Sequence, residues 1–491
     1  MKNDSQLRTP HTRRSFLKVC ALAAAGWAIP GSRVLGANGD IRIAVIGLGN
    51  KGRQHVELFS KLPGVRVVCV SDVDPKRVER VVEEAMKRGQ SPESANDPRK
   101  MLDRQDVDAV VIATPNHWHA LLTLWAIQAG KDVYVEKPVS HSVWEGERMV
   151  AAQKSSGRIV QSGTQYRSCR GLGAATAWLN EGHIGKPLWG HVLWYEHRPP
   201  IGKCAPFTPT DLNYDLWCGP APCEPLTRPK LHYDWHWVWA TGDGDLGNSG
   251  IHAFDACRWF ARQKGFPRRV LGLGGRFTYD DAAQTPNTQL SLLDYPDVPI
   301  LIENRNLPME KDTDIMDTYR RIREGFVLQF EGGYFAGLRA GGLVIGPKGE
   351  RLREFPGDGG DSHLANFIEA VRNRRQSILH APIEEGHISS AVCHLGNIAY
   401  RLGEPTATAT CRQTVAAHGH ADETFDRLVK SLEGIGVDLG KMPFSMGPWL
   451  EINPKTGKVR NAGKGRTVKR DQARTLAHGS HRAPYALPEK V

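Results

Sequence analysis

Four hundred and ninety-one residues, 40% hydrophobic and 24% charged, describe a globular chain of two or three domains and exclude a collagen-like, coiled-coil or disordered protein. A formal charge of +11 would ordinarily point to nucleic acid or an anionic membrane. The excess sits at the ends: residues 1–37 carry six basic side chains against Asp4, residues 451–491 carry ten against three acids, and a net charge of −1 remains for residues 38–450, so no nucleic-acid partner is expected.

Within the leader, Thr12-Arg13-Arg14-Ser15-Phe16-Leu17-Lys18 places an arginine pair before the mildly apolar run Val19 to Pro30, and Leu35-Gly36-Ala37 supplies a small-residue exit. That order predicts a twin-arginine signal peptide over residues 1–37, cleaved near Ala37, with the twin-arginine export machinery as partner and a periplasmic or other extracytoplasmic destination. The apolar run falls short of the ~20 residues that span a bilayer, so stable membrane insertion is not expected. The route carries folded proteins, which implies a cofactor loaded before export. Cys69, Cys257 and Cys393 read as small packing groups. Cys204, Cys218 and Cys223 lie in a Pro-rich region and could include one bridge, and the lack of a Cys-x-x-Cys pair argues against structural zinc.

The next segment, Ile41-Arg-Ile-Ala-Val-Ile46, is a β-branched run of strand length leading into Gly47-Leu48-Gly49-Asn50-Lys51-Gly52 and then a helical pattern. Gly47 permits a tight turn, Gly49 lets the backbone approach a pyrophosphate, and Gly52 lets helix and strand pack closely, while the helix start, with Asn50 and Lys51, offers N–H groups to phosphate. The following strand, Val65 to Val70, ends at Asp72, 25 positions after Gly47, where a carboxylate meets ribose hydroxyls and favours NAD over NADP. Asp74 reads as the cap of a helix beginning at Pro75. A third unit follows: strand Asp108 to Ala113, loop Thr114-Pro115-Asn116, helix His119 to Gly130. Lys131 to Val135 is a further strand, delivering Glu136-Lys137-Pro138 at its carboxyl end, where ligands of open α/β sheets bind. His117 and His119 are expected as caps or packing residues, with no metal site.

The ordered set GLGNKG, SDVDP, ATPNHWH, AGKDVYVEKP and Gln165-Tyr166-Arg167 resembles the Gfo/Idh/MocA family of oxidoreductases over nearly the whole chain after the leader. The resemblance implies an α/β protein: a Rossmann domain, here 38–162, and a substrate and oligomerisation domain, 163–450, whose open, mainly antiparallel sheet covers the nicotinamide and often makes contact between copies, hence a homo-oligomer. It implies hydride transfer between NAD(P) and a hydroxyl-bearing carbon of a sugar, polyol or cyclitol. Thr114, Pro115, Asn116 and His119 would face the nucleotide, Lys137 would touch the substrate oxygen and the ribose, Glu136 would hold the loop, and Gln165, Tyr166 and Arg167 would sit beside the nicotinamide.

Leu231 to Phe260 is the richest remaining stretch. Trp235, Trp237 and Trp239 alternate as on one face of a strand, with His236 among them, and His236 and Trp235 are expected to line a sugar cleft. Asn248, His252 and Asp255 follow at helical spacing on one face. Carbinol oxidation needs a base for the hydroxyl proton, and His252 is the first candidate. The family typically has Asp where Asn248 stands; an amide can orient a hydroxyl but not take its proton. Asp255 would orient His252 or tie down the helix, and Asp245 would cap that helix.

Beyond residue 264, short alternating runs from Arg269 to Arg339 predict an antiparallel sheet, followed by helices near His363 to Arg374 and Gly386 to Leu402. His387 and His394 on these helices are expected to be packed or exposed. Residues 451–491 form a basic extension, and its Arg482-Ala-Pro-Tyr-Ala-Leu-Pro-Glu489 is expected to pack across the body in extended form. Because free nucleotide is scarce outside the cytoplasm, the cofactor is expected to be tightly held and recycled. Two alternatives accompany the oxidoreductase reading: an NAD-dependent glycoside hydrolase working by transient oxidation and elimination, and a non-catalytic sugar- or nucleotide-binding protein on the same scaffold.

Overall fold

β1 (Ile41–Ile46) is buried along its length except at Arg42, as its β-branched run requires, and passes into the glycine turn and α1 (Asn50–Ser60). The computed structural model describes residues 39–418, 420–463 and 467–488, so the expected export signal and Glu489 lie outside the described residues. β2 (Val65–Ser71) leads to α2 (Pro75–Met86), whose first turn is capped by the Asp74 carboxylate accepting from the Lys76 amide at 3.0 Å. β3 (Glu93–Ala95), β4 (Ala109–Ile112), α3 (Asn116–Gln128), β5 (Asp132–Val135), α4 (Val143–Ser156) and β6 (Val160–Ser162) complete a parallel sheet in the order β3-β2-β1-β4-β5-β6. The order reverses between β1 and β4, and the crevice beyond their carboxyl ends is where such a sheet binds its ligand.

The second sheet is mixed and mostly antiparallel. Its strands are β7 (Pro187–Tyr195), β8 (Arg269–Gly275), β9 (Thr288–Asp294), β10 (Ile300–Arg305), β11 (Glu324–Phe330), β12 (Gly333–Leu338), β13 (Gly341–Ile345) and β14 (Arg351–Pro356), with β7 and β10 parallel. Alternation sorts the side chains. Ile300 and Ile302 join Phe254 and Phe260 of a helix, α6 (Ile251–Phe260), that follows a short α5 (Tyr214–Cys218). Leu290, Leu292 and Leu301 face the other way, onto Phe425, Leu428 and Leu432. Those three belong to α10 (Ala421–Gly434), which with α9 (Thr408–Ala416) covers the outer face of β8 to β10.

The chain crosses back between domains. α7 (His363–Asn373) packs Leu364, Phe367, Ile368 and Val371 against Ile41, Ile43, Phe59 and Tyr134, so the nucleotide domain is completed by a helix 200 residues beyond the expected boundary at 162. α8 (Ile383–Arg401) bridges the two sheets.

Three expectations need correction. Residues 231–239 do not form a strand: Tyr233 adopts φ +69°, and Asp234–Trp237 is a 3₁₀ turn, so the tryptophans share no face. The C-terminal extension is not wholly extended, and its boundary at 451 cuts a strand: β15 (Leu450–Ile452) pairs with β8, β16 (Val459–Ala462) pairs with β15, and Thr467–His478 forms α11, whose Ala473 is fully buried with Leu476 and Ala477 beside it. Cys204, Cys218 and Cys223 form no bridge; all three are free.

Candidate active site

One cavity of about 790 Å³ lies beyond the carboxyl ends of the parallel strands and is closed from above by the second domain. Its floor is the glycine turn. Gly47 has φ +86°, and a Cβ there would sit 2.7 Å from the Ala113 backbone; a Cβ on Gly52 would sit 1.7 Å from the Gly47 carbonyl oxygen. Gly47, Gly49, Asn50 and Lys51 line the cavity, whereas Gly52 is spent on packing. α1 starts there with no side-chain cap and no acid in its first turn, leaving its N–H groups and dipole to an anion.

Asp72 accepts from the Leu48 amide at 2.7 Å and the Asp74 amide at 3.0 Å, one oxygen each, and retains a lone pair on both for ribose hydroxyls. Burial raises its pKa, against the pull of those amides. At the end of β4, Thr114 has a buried, unpartnered hydroxyl. Asn116 donates Nδ2 to Asp243 at 2.8 Å, fixing the orientation of its amide. His119 lies between two carbonyls, its Nδ1 2.6 Å from that of Pro138 and its Nε2 2.8 Å from that of Thr114, and the single N–H of the neutral ring donates to one of them. A dinucleotide fits these groups: glycines that leave room for it, a free helix N-terminus for its pyrophosphate and a carboxylate for its ribose.

Beyond the glycine turn the groups become reactive. Glu136 meets His55 at 2.9 Å and Lys51 at 3.9 Å; burial alone would raise its carboxyl, but the Lys51 charge and the His55 hydrogen bond hold it well below the ordinary range. Lys137 is half-buried and donates Nζ to the backbone carbonyl of Asn248, with the Asn248 Oδ1 at 3.4 Å. Burial lowers the Lys137 pKa while Glu136 opposes the shift. His252 stacks on Tyr166 with ring centroids 5.5 Å apart, and its buried Nδ1 has no partner. Desolvation, with Lys137 nearby, pushes this imidazole down to about 3, leaving it neutral. Gln165 lines the cavity beside it and reaches Tyr134 at 3.2 Å and Glu136 at 3.4 Å. Trp235 and His236 also line the wall, stacked 3.6 Å apart.

Arg167 and Asp255 are placed elsewhere. They pair at 2.7 Å behind the cavity wall, and Arg167 also meets Glu385 at 3.0 Å. The helix explains Asp255: residues Leu246–Gly250 form a π turn before α6, and three residues past His252 lie about 4.5 Å further along the axis and about 60° round it. Asp245 does not cap this helix with its side chain; it accepts from Arg198 at 3.0 Å and from the Asn248 Nδ2 at 3.2 Å. Among the described residues, no group of three or more His, Cys, Asp and Glu is arranged to hold a metal ion.

Residues 41–164 match the oxidoreductase family Gfo/Idh/MocA in its NAD-binding Rossmann fold, and residues 202–285 match the C-terminal alpha/beta domain of that family. Both matches are to domain models of the Gfo/Idh/MocA oxidoreductases. Among curated relatives, scyllo-inositol 2-dehydrogenase (NAD(+)) of Bacillus subtilis is 34% identical over 151 residues, 30% of this chain and 43% of that one. A glycosyl hydrolase family 109 protein of Saccharopolyspora erythraea is 31% identical over 220 residues, 40% of this chain and 47% of that one. The chain thus spans less than half the length of the curated relatives it matches. Among solved structures, a levoglucosan dehydrogenase in complex with NADH and levoglucosan superposes with a TM-score of 0.54 at 18% identity, covering 72% of this chain and 95% of that one. An oxidoreductase domain protein from Kribbella flavida gives 0.56 at 17%, covering 73% and 96%. At those identities the likeness is one of fold.

Several lining residues carried no local signal. Arg77 sits over Gly49, His232 donates Nε2–H to the Asp74 carboxylate at 2.9 Å, and Trp194, Glu196, Glu324 and Arg339 reach the cavity from the second sheet. Only the wrapping of that sheet over the nucleotide domain brings them there. Arg77 alone was within reach of sequence reasoning, as a cation one turn into the helix after Asp72.

Proposed function

We propose that this protein is an NAD-dependent oxidoreductase that moves hydride between a CH–OH carbon of a sugar, polyol or cyclitol and a tightly held cofactor. The observation that carries the reading is the meeting of Lys137, Asn248 and the neutral His252 ring in one cavity, next to Tyr166 and a dinucleotide-fitting floor. Bound NAD supplies the hydride acceptor. His252, neutral and desolvated, takes the hydroxyl proton on its imidazole as the carbon is oxidised; Lys137 steadies the oxygen; Asn248 orients a hydroxyl through its amide. Trp235 and Trp194 offer apolar faces to sugar C–H groups.

A second reading, NAD-dependent glycoside cleavage by transient oxidation, draws support from the family 109 relative. We further propose export by the twin-arginine route, supported by the Arg13-Arg14 leader; with both replaced by Lys, the protein should stay in the cytoplasmic fraction.

The test is a panel of sugars, polyols, cyclitols and aryl glycosides given to purified full-length protein with NAD, following NADH and released sugar. NADH formation selects the oxidoreductase, and sugar release without net NADH selects the glycosidase. Lys137→Ala should cost about 10²–10⁴ in turnover while NAD affinity holds within a few-fold. NAD binding without conversion of any class would overturn both enzyme readings and leave a binding protein.

A further inference from the structure

Residues 202–241 leave the second domain and lie over the nucleotide end of the cavity. Leu216 and Trp217 of α5, together with His232, Tyr233 and Trp235, form the roof opposite Gly49, Asp72 and Arg77. α5 has only five residues, too few to hold itself, so its position depends on outside contacts. On the cavity side, the Trp217 carbonyl accepts from the Trp118 Nε1 at 3.1 Å and meets the His117 Nε2 at 3.0 Å.

On the opposite side lies the C-terminal segment. The Arg482 guanidinium donates to the Asp215 carboxylate at 2.6 Å, to the Asp215 carbonyl at 2.9 Å and to the Gly219 carbonyl at 3.1 Å, and the Arg482 amide donates to the Pro220 carbonyl at 2.9 Å. The Asp215 carbonyl also accepts from the Gly219 amide at 3.0 Å, and the Gly219 and Pro220 carbonyls lie just past the end of α5. Three residues on, the buried Tyr485 ring packs edge-on against Trp118, itself a cavity residue, at 5.4 Å, and its hydroxyl donates to Asp215 at 3.3 Å. Upstream, the same segment is fastened to the nucleotide domain: the Ser142 hydroxyl donates to the His478 carbonyl at 3.0 Å, His481 meets Glu145 at 2.8 Å, and His478 stacks on Trp144 at 4.4 Å. The segment therefore runs from an anchored helix, across the first turn of α4, to the back of the roof.

We propose that Arg482 and Tyr485 are positioning residues that latch the Asp215–Pro220 roof over the nucleotide end of the cavity, so that NAD leaves only when the C-terminal segment lifts. The proposal rests on NAD filling this cavity and is independent of the substrate. It gives the basic extension a role in cofactor retention.

The experiment uses the full chain, with Arg482→Ala, Tyr485→Ala and Tyr485→Phe. NAD dissociation is measured by stopped-flow displacement, and retained nucleotide by mass spectrometry after gel filtration. Both alanine variants should release NAD about tenfold faster or more, while Tyr485→Phe, which keeps the ring on Trp118, should stay near wild type. Turnover of the alanine variants should return to the wild-type value at saturating added NAD, which a general loss of structure would not allow. Unchanged NAD release in folded Arg482→Ala and Tyr485→Ala protein overturns the latch and leaves the functional reading intact; failure of the unmodified protein to bind NAD overturns both.

Discussion

The Asn248 amide stands between two charged groups: its Oδ1 lies 3.4 Å from the Lys137 Nζ, and its Nδ2 donates to the Asp245 Oδ1 at 3.2 Å. An amide can face a cation on one side and a carboxylate on the other, which neither Asp nor Lys could do. The carboxylate that the family usually has at this position thus stands one turn earlier, held by Arg198 and by Asn306.

Asn248→Asp should therefore be destabilising rather than a simple restoration of the family pattern. Two buried carboxylates would meet at 3.2 Å, with Lys137 compensating only one. We expect a loss of about 1–3 kcal/mol at pH 8, shrinking as the pH falls and the pair shares a proton. Chemical denaturation at pH 8 and pH 5 checks this; a variant as stable as wild type at pH 8 contradicts the account.

His252 titrates in the wrong place for an ordinary histidine base. Burial and Lys137 push it down to about 3, so the free protein presents neutral imidazole throughout the working range. The acid limb of kcat/KM should fall well below pH 6.5, and His252→Asn should lower kcat/KM about 10²-fold or more at all pH values between 6 and 8. An acid limb near 6.5 that disappears in His252→Asn would show a solvated, protonatable His252 instead.

How much of this was legible depended on how local the cause was. Ile41–Ile46, the glycine turn and the Asp74 cap each follow from neighbouring residues, and the structure has them at the expected positions. Asp255 and Arg167 show the limit. Each looks like a site residue by spacing, yet Arg167 finds Glu385, 218 positions away, and Asp255 finds Ser389, 134 positions away, on a helix that sequence patterning could not place beside them. The tryptophan run failed for a different reason: a single positive φ at Tyr233 turns a period-two pattern into a 3₁₀ turn.

That ion-pair knot makes its own prediction. Asp255 is fully buried, and burial would raise its carboxyl, but Arg167 and Arg258 hold it below the ordinary range. Asp255→Asn leaves those guanidiniums undercompensated and should cost about 3–5 kcal/mol in denaturant unfolding. Since neither side chain lines the cavity, NAD affinity of the folded fraction should change less than threefold, as titration by intrinsic fluorescence would report. A large loss of NAD affinity with little loss of stability would return Arg167 to the nicotinamide.

Acid should weaken the fold through histidines before it reaches the carboxylates. Burial pushes His236, His252 and His387 down to about 3 and His117 and His363 to about 4. Each has its ordinary value near 6.5 once unfolded, so between pH 6.5 and the folded value the unfolded chain binds more protons and stability rises with pH. Each group then costs about 2 kcal/mol at pH 5 relative to pH 7. His394 has the opposite sign: burial lowers its imidazole, but Asp243 at 3.1 Å more than offsets this, so its stabilisation is present in acid and lost as pH rises through its raised pKa. These five, joined by His420, also pushed down to about 3, outweigh His394 and leave a net loss of several kcal/mol between pH 7 and pH 5. Urea midpoints across that range measure it, and His387→Leu, away from the cavity, should flatten the slope by about one proton's worth. A midpoint unchanged between pH 7 and pH 5 would mean that water reaches these rings in the folded protein.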